Sequence, residues 1–247
     1  MAMYAYKDVM RTKEFYAKDA IKQDVEIRYY CPNPNCDAHM YLCGVDGLSA
    51  TYFSANRKGF SHIKGCSFGS SNSFDSNSTD EGAFDFKTAF ENMMLNPSLS
   101  TQKKKSPGTH KSGDSNLKPL TTLRQIYDMC KSYACNQSYN NQKIGQMLLD
   151  DRSEYMYPKG VFGNRIIEAN LRFYCPKKQE IYLVAPSSKK YEFILKVSNE
   201  KLFYRLRDSL YNNRDKFIIV AGSWESSGKF NVFQTELNST RQIRIIK

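Results

Sequence analysis

The sequence predicts a mixed α+β chain with two compact parts joined by a flexible spacer, the second part a β-barrel preceded by helices. Three observations carry this. Four of the seven cysteines fall within residues 1–66, among aromatic and alternating apolar residues. Residues 67–118 turn to serine, asparagine and aspartate, in SFGSSNSFDSNSTDEG and NPSLSTQKKKSPGTHKSGDSNLKP. Such stretches cannot bury enough apolar surface to offset chain entropy. From Pro119 onward, patterned hydrophobicity returns.

Length and charge fit this division. The 247 residues suit two small domains, and 36 basic against 25 acidic side chains leave a net charge of +11. Residues 1–66 hold 9 basic and 7 acidic residues, and residues 67–118 hold 6 of each. The remaining 21 basic and 12 acidic residues lie in 119–247, so the excess charge belongs to the C-terminal part. A basic surface of this kind points to polyanions, nucleic acid before membranes. No run approaches the roughly 18 apolar residues of a membrane span. The start, MAMYAYKDVMRTKEFYAKD, has no apolar secretory core. Seven cysteines without a secretory signal imply a reduced, cytoplasmic protein in which some cysteines serve a metal.

The first part reads YYCPNPNCDAHMYLCGVDGLSATYFSANRKGFSHIKGC. Cys31 and Cys36 enclose four residues, His62 and Cys66 enclose three, and 25 lie between the two clips. Tetrahedral zinc takes four sulfur or imidazole donors from two such clips. Two prolines stiffen the first clip, and Gly65 permits a tight turn beside Cys66. HMYLCGV and ATYFSA, with a turn at Asp46-Gly47, read as the hairpin of a small zinc-ribbon-like module over residues 1–66. His39 and Cys43 are spare candidates. Four ligands leave no open coordination position, so the zinc is expected to be structural.

The segments RYYCPNPNC, YFSA and FSHIKGC resemble the zinc-finger-like N-terminal region of competence CoiA-like proteins. The resemblance covers residues 18–68. It implies metal binding at Cys31, Cys36, His62 and Cys66, a role near DNA, and a nuclease-like domain of PD-(D/E)xK type elsewhere. Among all Asp and Glu residues only Asp85-Phe86-Lys87 has the acid-x-Lys spacing, and it lies in the spacer island AFDFKTAFENMML (83–95), not on a strand. Phosphate loops and hydrolase elbows are absent. No catalytic residue is assigned, and the expectation is a protein that is not an enzyme. The island itself reads as a short helix that docks on a neighbour or offers a protein partner its aromatic residues.

Residues 119–247 open with helical patterns. TLRQIYDMCKSYA follows a Thr cap, and NNQKIGQMLLDD is a second helical segment. The period then changes to two, with the barrel expected over about 164–247. RIIEANLRFYC alternates, with Ile167, Ala169, Leu171 and Phe173 on one face and Glu168, Asn170, Arg172 and Tyr174 on the other. EIYLVA and YEFILKV follow, then the amphipathic NEKLFYRLRDSLYNN, then KFIIVAGSW, FNVFQTEL and RQIRII. Three strands, one helix and two strands is the order of an OB-fold, so the barrel is expected to be OB-like.

Barrels of that kind bind strands across their second and third strands, beside the loops after the first and fourth. The expected nucleic-acid contacts are Arg172, Tyr174, Lys177, Lys178 and Tyr182 around the first loop. Lys189 and Lys190 lie at the next turn, and Trp224 and Lys229 near the loop after strand four. Arg57 and Lys58 at the zinc hairpin tip are further phosphate contacts. Aromatic rings stack on bases while Lys and Arg follow phosphates. The chain is therefore expected to bind nucleic acid without cutting it, preferring single-stranded or structured DNA over RNA. The alternative is an adaptor or inhibitor of another protein in DNA transfer, phage biology or defence, and a third reading is a CoiA-like nuclease.

Overall fold

Period-two alternation between residues 163 and 236 builds the centre of the molecule, a closed barrel of five strands. The computed structural model describes residues 1–46, 50–69, 72–95, 117–186 and 190–246. It is a mixed α+β structure. Five short strands come first: β1 (Tyr4–Tyr6), β2 (Glu14–Tyr16), β3 (Tyr29–Tyr30), β4 (His39–Cys43) and β5 (Tyr52–Ser54). Helices α1 (Phe86–Met94) and α2 (Leu123–Ser132) follow, then the small pair β6 (Ser138–Tyr139) and β7 (Gln142–Lys143). A single turn α3 (Ile144–Met147) leads to β8 (Leu148–Leu149). The barrel consists of β9 (Gly163–Cys175), β10 (Glu180–Val184), β11 (Glu192–Lys196), β12 (Ile218–Ser226) and β13 (Val232–Glu236), with α4 (Glu200–Tyr211) between β11 and β12. A final strand, β14 (Ile243–Ile245), lies against β12.

Around the barrel β9 pairs with β10, β10 with β11, β11 with β13, β13 with β12, and β12 again with β9. Only the β11–β13 pair is parallel, because α4 and the β12–β13 hairpin return the chain in the direction of β11. Ile167, Ala169, Ile181, Leu183, Phe193 and Val220 fill the interior with no exposed surface. Each large one contributes about 1.5–3 kcal/mol by burial. Asn199 caps α4 by accepting from the Leu202 amide, and Phe203, Leu206 and Leu210 plug the barrel end.

One strand departs from simple alternation. In β9, Leu171 faces Leu183 and Phe173 faces Tyr182, so Arg172 is an extra residue opposite the step between them. This bulge turns the following side chains over. Phe173 points outward at 45% exposure, and Tyr174 packs on the barrel core, the reverse of the alternation expected for both. Trp224 is likewise internal, at 2% exposure, against Phe193 at 5.1 Å, with its indole N–H donating to the Arg165 carbonyl at 3.1 Å.

The outer faces of β9 and β12 are covered by a second core. Ile166, Ile219 and Ala221 meet Leu123, Ile126, Met129 and Cys130 of α2 together with Phe86, Phe90 and Met93 of α1. The expected spacer is therefore divided. Residues 72–95 belong to this core, where Phe74 and Phe84 are buried and Asn72 donates to the Asp128 carbonyl at 2.9 Å. Residues 70–71 and 96–116 lie outside the described residues. The aromatic side chains of the 83–95 island, Phe84, Phe86 and Phe90, pack inward. The second expected helix is also shortened. Leu148 and Leu149 pair in parallel with Ile166 and Ile167, and that ladder overrides the helical pattern after one turn.

The N-terminal sheet has the order β2-β1-β3-β4-β5, and a bridge joins Ala2, just ahead of β1, to Phe53 of β5. The expected hairpin exists as the β4–β5 pair, within this larger sheet. Gly47 of the expected turn lies outside the described residues. The sheet docks on α2, where the Met3 amide donates to the Ser132 carbonyl at 2.7 Å.

Charged groups buried at this junction hold the parts together. The Lys131 ammonium lies 2.9 Å from Asp150 and 3.2 Å from Glu168, and the Tyr127 hydroxyl donates to Glu168 at 2.6 Å. Arg152 bonds Asp150 at 2.8 Å, the Tyr4 hydroxyl at 3.2 Å, and the Cys130 and Tyr133 carbonyls at 3.1 Å. Burial alone would raise the Asp150 pKa, but Arg152 and Lys131 overcome it and hold the carboxyl well below the usual range. Its contribution to stability is thus complete above the unfolded value of about 3.9 and is lost as pH falls further. Urea unfolding should show stability declining with acidification below about pH 4. Lys131→Met, which takes the ammonium from two buried carboxylates and leaves Asp150 to Arg152 and Glu168 to the Tyr127 hydroxyl, should cost about 3 kcal/mol at neutral pH in the same assay.

Candidate functional site

Two local turns and one arginine build the cysteine cluster. The first clip closes through the Cys36 amide, which donates to the Asn33 carbonyl at 3.0 Å. In the second, the Cys66 amide donates to the Ile63 carbonyl at 3.1 Å across Gly65, whose φ of +81° suits glycine. Arg11 clamps the first clip from outside. Its guanidinium donates to the carbonyls of Cys31 and Cys36, at 2.9 Å each, from a left-handed backbone position with φ of 55°.

These turns bring the donor atoms of Cys31, Cys36, His62 and Cys66 within 4.8 Å of one another. Cys31 Sγ lies 3.7 Å from Cys66 Sγ, and Cys36 Sγ lies 3.6 Å from His62 Nδ1. A tetrahedron with metal–sulfur bonds of about 2.3 Å and a metal–nitrogen bond of about 2.0 Å has edges of roughly 3.5–3.8 Å. The two measured edges fit it. Cys31 and Cys66 share one hydrogen bond, and either thiol can be its donor. That contact holds one thiol of the pair, Cys66, well down, against burial and with help from His62, the Phe68 amide and Asn33. The same contact and burial push its neighbour Cys31 up. Asn33 Nδ2 lies 3.6 Å from Cys66 Sγ, a supporting contact from the first clip to the second. All four expected ligands are thus together and can hold a metal ion.

The spare candidates are elsewhere. His39 stacks on Phe60 at 3.9 Å, and Cys43 lies 3.6 Å from the Asn56 amide nitrogen. Asp85, the acid of the acid-x-Lys triplet, caps α1. It accepts from the Lys87 amide at 3.0 Å and the Thr88 hydroxyl at 2.6 Å.

The barrel sorts the other expected residues. Tyr182 stacks on Phe173 at 4.1 Å with 12° between the rings, on the outer face of β9 and β10. Lys177 and Lys178 are exposed in the turn after β9, Lys229 is exposed in the turn after β12, and Lys190 is exposed before β11. Lys189 lies outside the described residues. Arg172 is engaged in an ion pair with Glu192, while Tyr174 and Trp224 are spent in the core, where bulge and strand alternation put them. Arg57 and Lys58 follow β5 rather than sitting at the hairpin tip. Arg57 lies over the Tyr41 ring at 3.8 Å and 3.4 Å from Glu26, and Lys58 is exposed.

Two exposed aromatic residues were not expected as contacts. Phe173 is displayed by the bulge, and Phe230, at 93% exposure, stands at the tip of the β12–β13 hairpin beside Lys229. An apolar residue next to Gly228 and Lys229 in a turn was the available sequence signal for Phe230. No family model, no curated protein and no solved structure matches this chain. Among the described residues, no helix is long and apolar enough to cross a membrane.

The purified chain should carry one tightly held metal ion, measured by elemental analysis. His62→Ala and Cys36→Ser should abolish it. Arg11→Ala, which frees the clip carbonyls without touching a ligand, should weaken metal affinity about 10–100-fold in a chelator competition.

Proposed function

We propose that this chain binds single-stranded nucleic acid across the outer face of β10 and β11, on a barrel of OB type, with a structural zinc ion at the cysteine–histidine centre. The observation that carries the reading is the Phe173–Tyr182 stack, half open to solvent between two basic loops. The order of the strands supports the OB assignment: first, second, third, fifth, fourth and back to the first, with the helix between third and fourth. In such barrels the face of the second and third strands and the loops after the first and fourth take oligonucleotides. Here those loops supply Lys177 and Lys178 on one side and Lys229 and Phe230 on the other. Bases would stack on Phe173, Tyr182 and Phe230 while the lysines follow the phosphates. The donor set of three thiols and one imidazole favours zinc, and four protein ligands give it the closed coordination of a structural site.

Fluorescence anisotropy with short single-stranded DNA, RNA and duplex DNA tests this. Single strands should bind better than duplex. Four or five phosphate contacts should give a slope of about −3 in log K against log salt. Phe173→Ala and Phe230→Ala should each weaken binding by about 1–3 kcal/mol without altering thermal stability. Absence of binding to every oligonucleotide at about 50 mM salt, where such contacts are strongest, overturns the reading. It would favour a protein partner instead, at the surface where Phe60 and Ile63, each 48% exposed, flank His62.

A further inference from the structure

The loops of the two cysteine clips, α2, and residues of and beside the barrel line a cavity of about 370 Å³. Asn33 of the clip, Arg124 and Lys131 of α2, Glu168 of β9, and Lys216 and Phe217 ahead of β12 all line it. This is where the buried ion network of the junction reaches open space. Ligand sites run from about 300 to 1,000 Å³, so this one suits a single compact ligand and not an extended one.

The wall carries both signs of charge. Arg124, Lys131, Arg152 and Lys216 are matched by Asp128, Asp151, Glu168 and Asp215. The buried acids already have partners, Asp128 in Arg124 at 2.9 Å and Glu168 in Tyr127 and Lys131. A bare anion would meet as much repulsion as attraction here. A molecule with an anionic end, a polar edge and a flat ring would use all three kinds of wall. Phe217, 45% exposed, offers the ring surface, and Lys216 beside it, whose ammonium donates to Asn213 Oδ1 at 2.9 Å and has two further N–H groups, offers the cation.

Position narrows the class further. Pro186, another wall residue, lies four residues beyond Tyr182 along the β10 segment. At about 3.3 Å per residue, the stacked pair and the cavity are some 13 Å apart along that segment. Glu168 and Phe173 belong to the same strand, β9. The aromatic face and the cavity wall thus draw on the same two strand segments.

We propose that this cavity is a nucleotide pocket, which takes one nucleoside phosphate with its base against Phe217 and its phosphate beside Lys216. The choice of a nucleotide over other mixed ligands rests on the single-strand reading above. The nucleotide can be free or can be one unit of a bound strand, and the experiment separates the two. Adenosine, cytidine, guanosine and uridine 5′-monophosphates, inorganic phosphate, and a single-stranded 12-mer are titrated into the full chain by calorimetry. Wild type is compared with Phe217→Ala and Lys216→Glu. Both substitutions lie outside the buried ion network, and a thermal melt confirms that each variant is folded.

At least one mononucleotide is expected to bind, and each substitution is expected to weaken it about tenfold, the scale of one lost stacking or phosphate contact. Silence from all mononucleotides, with the 12-mer weakened tenfold by the same substitutions, assigns the pocket to the strand. Mononucleotide binding without 12-mer binding keeps the pocket and overturns the strand reading. The pocket proposal itself is overturned if inorganic phosphate binds as well as the nucleotides. It is equally overturned if no mononucleotide binds and the 12-mer either fails to bind or binds wild type and both variants alike, or if mononucleotides bind and neither substitution weakens them.

Discussion

Lys131, Asp150, Arg152 and Glu168 have been taken out of water together, and the arrangement of the molecule follows from their need for one another. An ion moved into a protein interior loses several kcal/mol of hydration, which only close partners return. The partners come from separate stretches of chain. Lys131 sits on α2, Asp150 follows β8, Glu168 lies on β9, and Arg152 reaches Tyr4 in the N-terminal sheet. No two of these elements can slide without uncovering a charge. Greasy contacts between α2 and the barrel supply most of the burial, but they tolerate small shifts. The ion network does not, and it thereby fixes where the metal clip stands above the cavity.

The two ends of the proposed interface are held by different physics. The barrel face is set by strand pairing and by one bulge, which needs no cofactor. The clip is set by its own turns and by Arg11, which satisfies the carbonyls of Cys31 and Cys36, and its donors can hold a metal. Asn33 links the two shells, since its amide supports Cys66 while its residue forms part of the cavity wall. Pro32, Pro34, Asn35, Gly65 and Ser67 of the two clips line the cavity as well, so a change at the clips would reach it directly, while the barrel core has its own closed set of apolar contacts.

Features with a short range in sequence were readable in advance. The ligand set was visible because Cys31–Cys36 and His62–Cys66 are local clips whose spacing is fixed by the chemistry of four-coordinate metals. The strand-strand-strand-helix-strand-strand order was visible because the hydrophobic period changes at each boundary. What depended on distant partners was hidden. The bulge at Arg172 is one residue wide and is defined only by its pairing with β10, so the outward face of Phe173 could not be read. Trp224 looked like a binding residue because tryptophan is scarce, yet its strand parity points it at Phe193. The serine- and asparagine-rich segment looked unstructured because its anchors, Asn72 and Ser73 on Asp128, lie across more than fifty residues of chain. Arg11 carries no motif at all.

The parallel neighbour of β11 is β13, and β9 is closed by β12, with Ala169 opposite Ile218. During synthesis, then, no barrel exists until residue 236 has left the ribosome. The four metal donors are complete at Cys66, far earlier. At about 5–20 residues per second, the interval is on the order of ten seconds or more. The N-terminal part also has a buried cluster of its own, in which Tyr4 and Phe68 pack with Tyr29, Met40 and Phe53. Order of synthesis thus separates the two parts in time as well as in space.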